Sequence, residues 1–270
     1  MGFQFIQTEI KGSVFFMTLN RPDVKNAMNV EMMDEMRTAI ESVNDSIRAV
    51  VIKGAGEFFC AGGDLNWMKS SIKKSQKENQ EDALKLAKMI RALDECPVPV
   101  ITQVKGGAFG GGVGVVSASD IVIAEETAMF SLSEVKLGLI PATIGPLVMR
   151  KIGLSEARRL YLTGKRFSAK EAKDIHLVHE VVPAGSLFSV TNDYLREFET
   201  SGPQAVRTAK KLIREMMGTD LWKNDIAETT SRILSEIRIG PEAQSGMEAF
   251  FNRKPAPWKT PLLGNSNELK

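Results

Sequence analysis

A glycine-rich stretch at residues 106–112, GGAFGGG, constrains the fold of this 270-residue chain more than any other feature. A β-branched run at 98–104 precedes it and predicts a buried strand, and small apolar residues at 113–118 follow and predict a packed helix. Glycine at this density costs backbone entropy, so the fold must need backbone where side chains do not fit. A strand, a glycine turn and a helix in this order present backbone N–H groups at a helix N-terminus. This arrangement favours a site for negative charge that develops on a ligand oxygen.

Residues 58–65, FFCAGGDL, form a second junction of the same kind, with Asp64 placed to cap the following helix. Neither turn has the G-x-G-x-x-G spacing of a dinucleotide site or the Gly-Lys-Ser/Thr of a Walker loop, and the chain has no G-x-S-x-G nucleophile elbow. Two interpretations remain. Either the N–H groups of both turns converge on one carbonyl oxygen, or both turns are tight packing junctions.

Apolar runs predict strands that alternate with helices as far as residue 125, and hence an α/β architecture with parallel strands behind an N-terminal hairpin. After residue 185 the pattern is helical only, so we expect an α/β core over 1–185 and a helical region over 186–270. The Pro-rich end beyond 255 is expected to be loosely held. The predicted helices are 30–43 (capped by Asn29, with a methionine stripe), 70–94 (of which 70–79 is expected to be a mobile segment that precedes the helix), 144–152, 155–162, 187–198, 204–217, 221–237 and 242–251.

Charge and cysteine usage exclude several classes of protein. A balance of 35 basic against 33 acidic residues gives no nucleic-acid footprint. Cys60 and Cys96 form no C-x-x-C pair, so we expect a reduced compartment, no disulfide and no zinc site. The i, i+3 spacing of His176 and His179 could suit a metal on a helix, but the apolar residues beside them predict a strand at 177–182. In an extended chain this spacing places the two side chains on opposite faces, so we expect no metal site. No membrane span or signal peptide is evident, and we expect a cytoplasmic protein.

Five segments carry a family resemblance: 21–27, 59–65, 106–112, 130–141 and 250–255. In this order and at this spacing they resemble the signature segments of the crotonase (enoyl-CoA hydratase/isomerase) superfamily. The resemblance covers nearly the whole chain. It implies a ββα superhelical core with a C-terminal helical trimerisation region, assembled as a homotrimer or hexamer. It implies an acyl-coenzyme A thioester as ligand, with no cofactor beyond the coenzyme A of the substrate.

The resemblance also assigns roles to residues. The thioester oxygen would accept hydrogen bonds from the backbone N–H groups of Gly63 and Gly111. The backbone at Ala61 would recognise the adenine, and Lys25 and Ala27 would lie near the pantetheine or phosphates. Trp67 and Met68 either line the acyl pocket or pack in the core. The remaining residues assigned to the binding surface flank the two turns: Gly62, Asp64, Leu65 and Gly110.

The chain departs from the family at one catalytic position. Hydratases of the family often use two glutamates; the second matches Glu134, but the first falls at Gly114, which has no side chain. A single carboxylate suits an isomerase that moves a proton between two carbons. Hydration with Glu134 alone is the preferred interpretation, because 64–68, the GGGVG run and 132–143 resemble the bacterial 3-methylglutaconyl-CoA hydratase-like branch. A eukaryotic relative of that branch binds RNA, but no basic stripe supports RNA binding here.

Overall fold

The computed structural model describes residues 2–217 and 226–264, which form a mixed α/β fold with two sheets. The strands are β1 (Ile6–Lys11), β2 (Val14–Leu19), β3 (Ala49–Gly54), β4 (Val100–Val104), β5 (Gly107–Phe109), β6 (Ile121–Glu125), β7 (Met129–Ser131), β8 (Arg166–Ser168) and β9 (Glu180–Val182). The helices are α1 (Val30–Glu41), α2 (Leu65–Ser71), α3 (Gln76–Glu95), α4 (Gly111–Ala118), α5 (Gly145–Thr163), α6 (Ala169–Asp174), α7 (Leu187–Thr200), α8 (Pro203–Met216), α9 (Ile226–Ile239) and α10 (Pro241–Phe251).

The larger sheet has the strand order β1-β2-β3-β4-β6-β9. β1 and β2 pair antiparallel as the predicted hairpin, and every other pair in this sheet is parallel. Its central strands are buried on both faces, which explains why they are continuous apolar runs without alternation. The parallel arrangement places the carboxyl ends of β3 and β4 side by side, and each leads toward one of the two glycine turns.

The smaller sheet, β5-β7-β8, was not predicted. Each of its strands is three residues long, and β5 lies inside the glycine-rich stretch, so no period of two could develop in the sequence. Its register aligns Phe109 with Ser131 and Ser131 with Arg166, in one row across the sheet. The next row inward holds Ala108, Phe130 and Phe167, which are all buried.

Two apolar clusters lie on opposite faces of the large sheet, and the larger one holds the predicted methionine stripe. Met32, Met33 and Met36 are buried on α1, which Asn29 caps by accepting a hydrogen bond from the Met32 amide. The predicted break at Gly153 is also present, since this residue is non-helical within α5. The smaller cluster packs Leu195 of α7 against the other face of the sheet.

Three details of the sequence prediction are wrong. β9 begins only at Glu180, so the histidines precede it: His176 lies in a left-handed turn, and Nδ1 of His179 accepts a hydrogen bond from the Val122 amide. The long charged helix begins inside the stretch 70–79 that was predicted to be a mobile segment, because α2 ends at Ser71 and a capping box starts α3 at Gln76. The C-terminal end is also more tightly held than expected, because Leu262 is fully buried and its carbonyl accepts a hydrogen bond from the Ser13 amide.

The C-terminal helices are present, with bounds close to those predicted. Residues 221–225 of the predicted helix 221–237 lie outside the described residues, and the described part of that helix is Ile226–Ile239. α7 packs on the large sheet, whereas α8 and α9 bury none of their described residues. The division at residue 185 stays a prediction. Of the helices in the described ranges, none combines the length and apolarity that crossing a bilayer requires.

Candidate active site

Backbone hydrogen bonds join the two glycine turns side by side. Cys60 and Ala108 form an isolated parallel bridge, in which the Phe109 amide donates to the Cys60 carbonyl at 2.9 Å and the Cys60 amide donates to the Gly107 carbonyl at 3.2 Å. The first turn also bridges to the N-terminal loop, because the Met28 amide donates to the Gly62 carbonyl at 2.7 Å. The two turns found in the sequence are therefore neighbours in space.

Glycine is required at positions 62 and 110 for two reasons. Both residues have positive φ, +96° at Gly62 and +47° at Gly110, where a side chain is strained. There is also little room for one. A Cβ at Gly62 would lie 3.2 Å from the Phe109 carbonyl oxygen, and a Cβ at Gly110 would lie 3.3 Å from Oε1 of Glu134. The absence of side chains lets the turns and the carboxylate of Glu134 come together.

The amides of Gly63 and Gly111 are unused donors. Gly63 follows the first turn, and Gly111 is the first residue of α4, where the backbone N–H groups of a helix have no internal partner. Within residues 2–217 and 226–264, neither amide has a hydrogen-bond acceptor. The N-terminus of α4 carries positive partial charge, so an oxygen that gains negative charge is stabilised there.

Glu134 is the first residue of a 3-10 helix, Glu134–Leu137, which follows β7 after a short connection. Its Oε2 atom is buried and has no hydrogen-bond partner among the described residues. Burial raises the pKa of this carboxyl above its ordinary value, although a hydrogen bond to its own backbone opposes the rise. A carboxyl group with a raised pKa can accept a proton and return it near neutral pH, which suits general acid–base chemistry.

Tyr161 on α5 lies close enough to Glu134 to respond to its charge. Burial first, and then the negative charge of Glu134, raise the pKa of Tyr161 to about 12, so the phenol stays protonated. Its hydroxyl donates a hydrogen bond to the Gly145 carbonyl at 2.9 Å. Sequence reasoning missed Tyr161, because a lone tyrosine in a helix of mixed apolar and charged residues carries no local signal.

The space beside Gly114 is filled by hydrocarbon. A Cβ at this position would overlap Cγ2 of Ile144 and would lie 3.1 Å from both Ile144 Cβ and Ile90 Cδ1. Ile144 is itself buried and precedes the first residue of α5. A glutamate at 114 therefore has no room while Ile144 is present. The sequence showed the missing side chain but not what replaces it.

Asp64 uses both of its carboxylate oxygens within the chain. Oδ1 accepts hydrogen bonds from the amides of Asn66 and Trp67, so the predicted helix cap is present, and Oδ2 pairs with Arg21 at 2.8 Å. Burial alone would raise the pKa of Asp64, but these hydrogen bonds and the Arg21 charge hold it below its usual value. Asp64 therefore orients α2 relative to the N-terminal loop.

The other residues predicted to bind substrate surround the first turn. The Ala61 amide donates to the Lys25 carbonyl at 2.9 Å, and Nζ of Lys25 lies 5.7 Å from the centre of the Phe58 ring. Ala27 is buried, whereas Leu65 is 81 % exposed. Trp67 and Met68 form the wall beside Gly63, since a Cβ at Gly63 would lie 3.3 Å from Trp67 Cζ3 and 3.5 Å from Met68 Sδ.

A cavity of about 470 Å³ opens between the N-terminal loop, α1, α2 and α3. Arg21, Asp64 and Trp67 line it, and the indole N–H of Trp67 donates a hydrogen bond at 2.9 Å to Asp82, which also lines the cavity. In the described part of the chain, no group of three or more His, Cys, Asp or Glu side chains is placed to hold a metal ion.

Comparison with known proteins identifies the family and the fold of this chain. The profile of the enoyl-CoA hydratase/isomerase family matches residues 9–261. The chain is 34 % identical to a short-chain-enoyl-CoA hydratase of Clostridium acetobutylicum over 250 residues, which cover 91 % of this chain and 94 % of that protein. An enoyl-CoA hydratase from Shewanella pealeana superposes with a TM-score of 0.91 at 36 % identity, over 95 % of this chain and 96 % of that one.

AtuE of Pseudomonas aeruginosa superposes with a TM-score of 0.92 at 32 % identity, over 95 % of this chain and all of that one. The α/β class and the crotonase-type fold implied by the sequence motifs are thereby confirmed. The chain belongs to the enoyl-CoA hydratase/isomerase family, within the crotonase superfamily.

Proposed function

We propose that this protein adds water across the 2,3 double bond of an enoyl-CoA thioester, with Glu134 as its single catalytic carboxylate. Family membership implies an acyl-CoA substrate, and many relatives at about 30 % identity are named enoyl-CoA hydratases. The observation that carries the proposal is the buried, unpartnered Oε2 of Glu134 beside two glycine turns whose following amides have no acceptor among the described residues.

In this mechanism the thioester oxygen accepts hydrogen bonds from the Gly63 and Gly111 amides. As a nucleophile attacks C3, electrons move through the double bond onto this oxygen and form an enolate. Preorganised donors stabilise the enolate more than the neutral carbonyl, and one such donor contributes about 3–4 kcal/mol in well-studied enzymes. Gly62 and Gly110 hold the two turns at the separation that this geometry needs.

Glu134 then carries out both proton transfers of the reaction. Its carboxylate takes a proton from water as the water oxygen bonds to C3, and the resulting carboxylic acid gives that proton to C2 as the enolate collapses. One H and one OH have been added, and Glu134 is again ionised. The raised pKa brings the acid and base forms of this group closer in free energy, which one group with two tasks requires.

We assign the coenzyme to the two segments around Lys25 and Ala61, which are joined by the hydrogen bond from the Ala61 amide to the Lys25 carbonyl. Ala61 presents backbone for the adenine, Lys25 supplies positive charge near the phosphates, and Trp67 and Met68 bound the acyl pocket. A branched enoyl-CoA with a distal carboxylate, of the 3-methylglutaconyl type, is the preferred substrate. This choice rests on the sequence resemblance to that branch of the family.

A second candidate is double-bond isomerisation by the same residue. The space beside Gly114 is closed by Ile144, so position 114 offers no place for a second carboxylate to activate water. In this reaction Glu134 removes a proton from C2 of a 3-enoyl-CoA and returns it to C4 of the dienolate. The same two amides stabilise the charged oxygen.

The two reactions are separated by their products. We would incubate the enzyme with 3-methylglutaconyl-CoA, crotonyl-CoA and a 3-enoyl-CoA in H₂¹⁸O and analyse the products by mass spectrometry. Hydration incorporates ¹⁸O at C3, and isomerisation leaves the mass unchanged. In both cases Glu134→Gln should lower kcat by a factor of about 100 or more. Full activity of this variant on all three substrates would refute the proposed role of Glu134.

We further propose a homotrimer, alone or paired as a hexamer, assembled through the C-terminal helices. Phe250 and Phe251 are each 77 % exposed, and Ile213, Leu234 and Ile239 add exposed apolar surface on α8 and α9. Light scattering should give three or six times the chain mass of 29.7 kDa. Replacing Phe250 and Phe251 by glutamate should lower that mass, and a monomeric native enzyme would contradict the assignment.

A further inference from the structure

A second cavity, of about 440 Å³, is lined by one residue from each strand of the small sheet and by none of the residues assigned above to catalysis or substrate binding. We call it the Arg166 cavity. Its size falls in the range of small-ligand sites. Its polar and aromatic lining residues are Phe109, Ser131, Ser133, Lys136, Thr163, Lys165 and Arg166.

The charge of this cavity is positive and unbalanced. Lys136, Lys165 and Arg166 contribute three cations, and no acidic side chain is part of its lining. Within residues 2–217 and 226–264, none of the three has a carboxylate within 4.0 Å. Exposed cationic side chains are usually neutralised by mobile anions from the solution, but three cationic side chains around one concave site attract a single multivalent anion.

Ser131 provides an observation independent of charge. It is only 1 % exposed, and its Oγ is buried without a hydrogen-bond partner among the described residues. A buried hydroxyl without a partner is costly, and it commonly marks a place for a ligand or water. Ser131 lies in the middle of the row Phe109–Ser131–Arg166, and all three residues line the cavity.

The side chains around Ser131 are already held in place. The Arg166 guanidinium lies 5.2 Å from the centre of the Phe109 ring, so it stacks beside the strand that carries Ser131. The described residues accept no hydrogen bond from this guanidinium, which leaves its planar set of N–H donors available. The aliphatic part of Lys136 packs on Gly164, with Cε 3.1 Å and Cγ 3.2 Å from the position of a Cβ there.

We propose that the Arg166 cavity binds the phosphate group of a phosphorylated ligand. Arg166 makes paired hydrogen bonds to two phosphate oxygens, Lys136 and Lys165 balance the remaining charge, and the Ser131 hydroxyl donates to a third oxygen. Guanidinium geometry matches phosphate in this way, and a doubly charged group makes use of all three cations. The phosphate belongs either to the coenzyme portion of the substrate or to a separate molecule.

The test is calorimetric titration of the full-length protein with inorganic pyrophosphate at low ionic strength. We expect saturable binding that weakens about 10- to 100-fold in Arg166→Gln, which loses charge-assisted hydrogen bonds. Lys170→Gln is the matched control, because Lys170 is exposed on α6 outside the cavity, and it should change the affinity less than about twofold. Absence of saturable binding, or equal weakening by both variants, overturns the proposal.

Ser131→Ala separates a ligand site from a packing defect. Without ligand it should unfold at the same temperature as the wild type or higher, since an unpaired buried hydroxyl is removed. With pyrophosphate it should show a smaller stabilisation than the wild type, with affinity lowered roughly 2- to 10-fold. Unchanged affinity in this variant would remove Ser131 from the site and overturn the proposed geometry.

Competition identifies the source of the phosphate. If the site holds the coenzyme, CoA displaces pyrophosphate, and Arg166→Gln weakens CoA binding. If it serves a separate ligand, pyrophosphate binds equally well to CoA-saturated protein. Either result supports the site. The outcome is independent of the catalytic proposal, because Glu134→Gln should bind pyrophosphate normally while losing turnover.

Discussion

Ile144 fills the space beside Gly114, and this contact leads to a quantitative prediction about the free energy of unfolding. In Gly114→Ala the new Cβ gains helix propensity of about 1 kcal/mol within α4, but it overlaps Cγ2 of Ile144. Overpacking of a dense core costs about 1–3 kcal/mol. We therefore expect a net loss of about 0–2 kcal/mol in the free energy of unfolding.

The double mutant is the most informative variant. Ile144→Ala alone leaves a cavity in a buried site and should cost about 2–5 kcal/mol. In Gly114→Ala/Ile144→Ala the overlap is gone, the propensity gain remains, and the added methyl group fills part of the cavity. The two substitutions should be coupled favourably by about 1–3 kcal/mol, which urea denaturation at one fixed protein concentration can measure.

Gly112 provides a matched control on the same helix. A Cβ there would lie 2.9 Å from Cβ and 3.0 Å from the carbonyl oxygen of Cys60, and neither atom moves when Ile144 is shortened. Gly112→Ala and Ile144→Ala should therefore be additive within about 0.5 kcal/mol. Additivity of the Gly114 and Ile144 substitutions would refute the argument that Ile144 occupies the space of a side chain at 114.

Three further predictions concern titratable groups. The pKa of Glu134 is raised in the folded state, so its ionisation costs stability as pH rises. The melting temperature of Glu134→Gln should therefore be higher than that of the wild type at pH 8 and the same at pH 4. Equal melting temperatures at pH 8 would contradict this prediction. Burial, and then the charge of Lys151, lower the pKa of His179 to about 4. The wild type should therefore lose stability as pH falls from about 6.5 to 4, because the unfolded state takes up the proton first. In urea denaturation across this range, His179→Asn should lose less stability than the wild type. Burial raises the pKa of the Cys60 thiol to about 12, so iodoacetamide should label it only after unfolding, and rapid native labelling detected by mass spectrometry would refute its inaccessibility.

The sequence predicted those parts of the fold whose physical cause is local. Asn29 and Asp64 cap helices because their short side chains reach the following amides, and the methionines of α1 recur at helical spacing because one face is buried. The small sheet was missed because its strands are too short to show alternation. The strand predicted at 177–182 is present only as Glu180–Val182, because Leu177 and Val178 are buried in a turn that precedes β9.

The candidate site shows the same division between local and tertiary causes. Glu134, Gly62 and Gly110 were found from the motifs, and the structure places them next to one another. Ile144 and Tyr161 were missed, because each reaches the glycine turns from a segment remote from them in sequence and neither residue type is unusual at a helix. Such contacts follow from helix packing, which no local pattern of residues specifies.

The replacement of a carboxylate by hydrocarbon also bears on how Glu134 titrates. Gly114 lies one helical turn beyond Gly110, whose Cα faces Oε1 of Glu134. A second carboxylate at 114 would couple to Glu134, and their two protons would dissociate in steps that belong to the pair. With Ile144 in that space, only burial and its own backbone hydrogen bond shift the pKa of Glu134. With no second acid at position 114, the lone carboxyl group of Glu134 must both take and return the proton, and its burial raises its pKa in the direction that both tasks require.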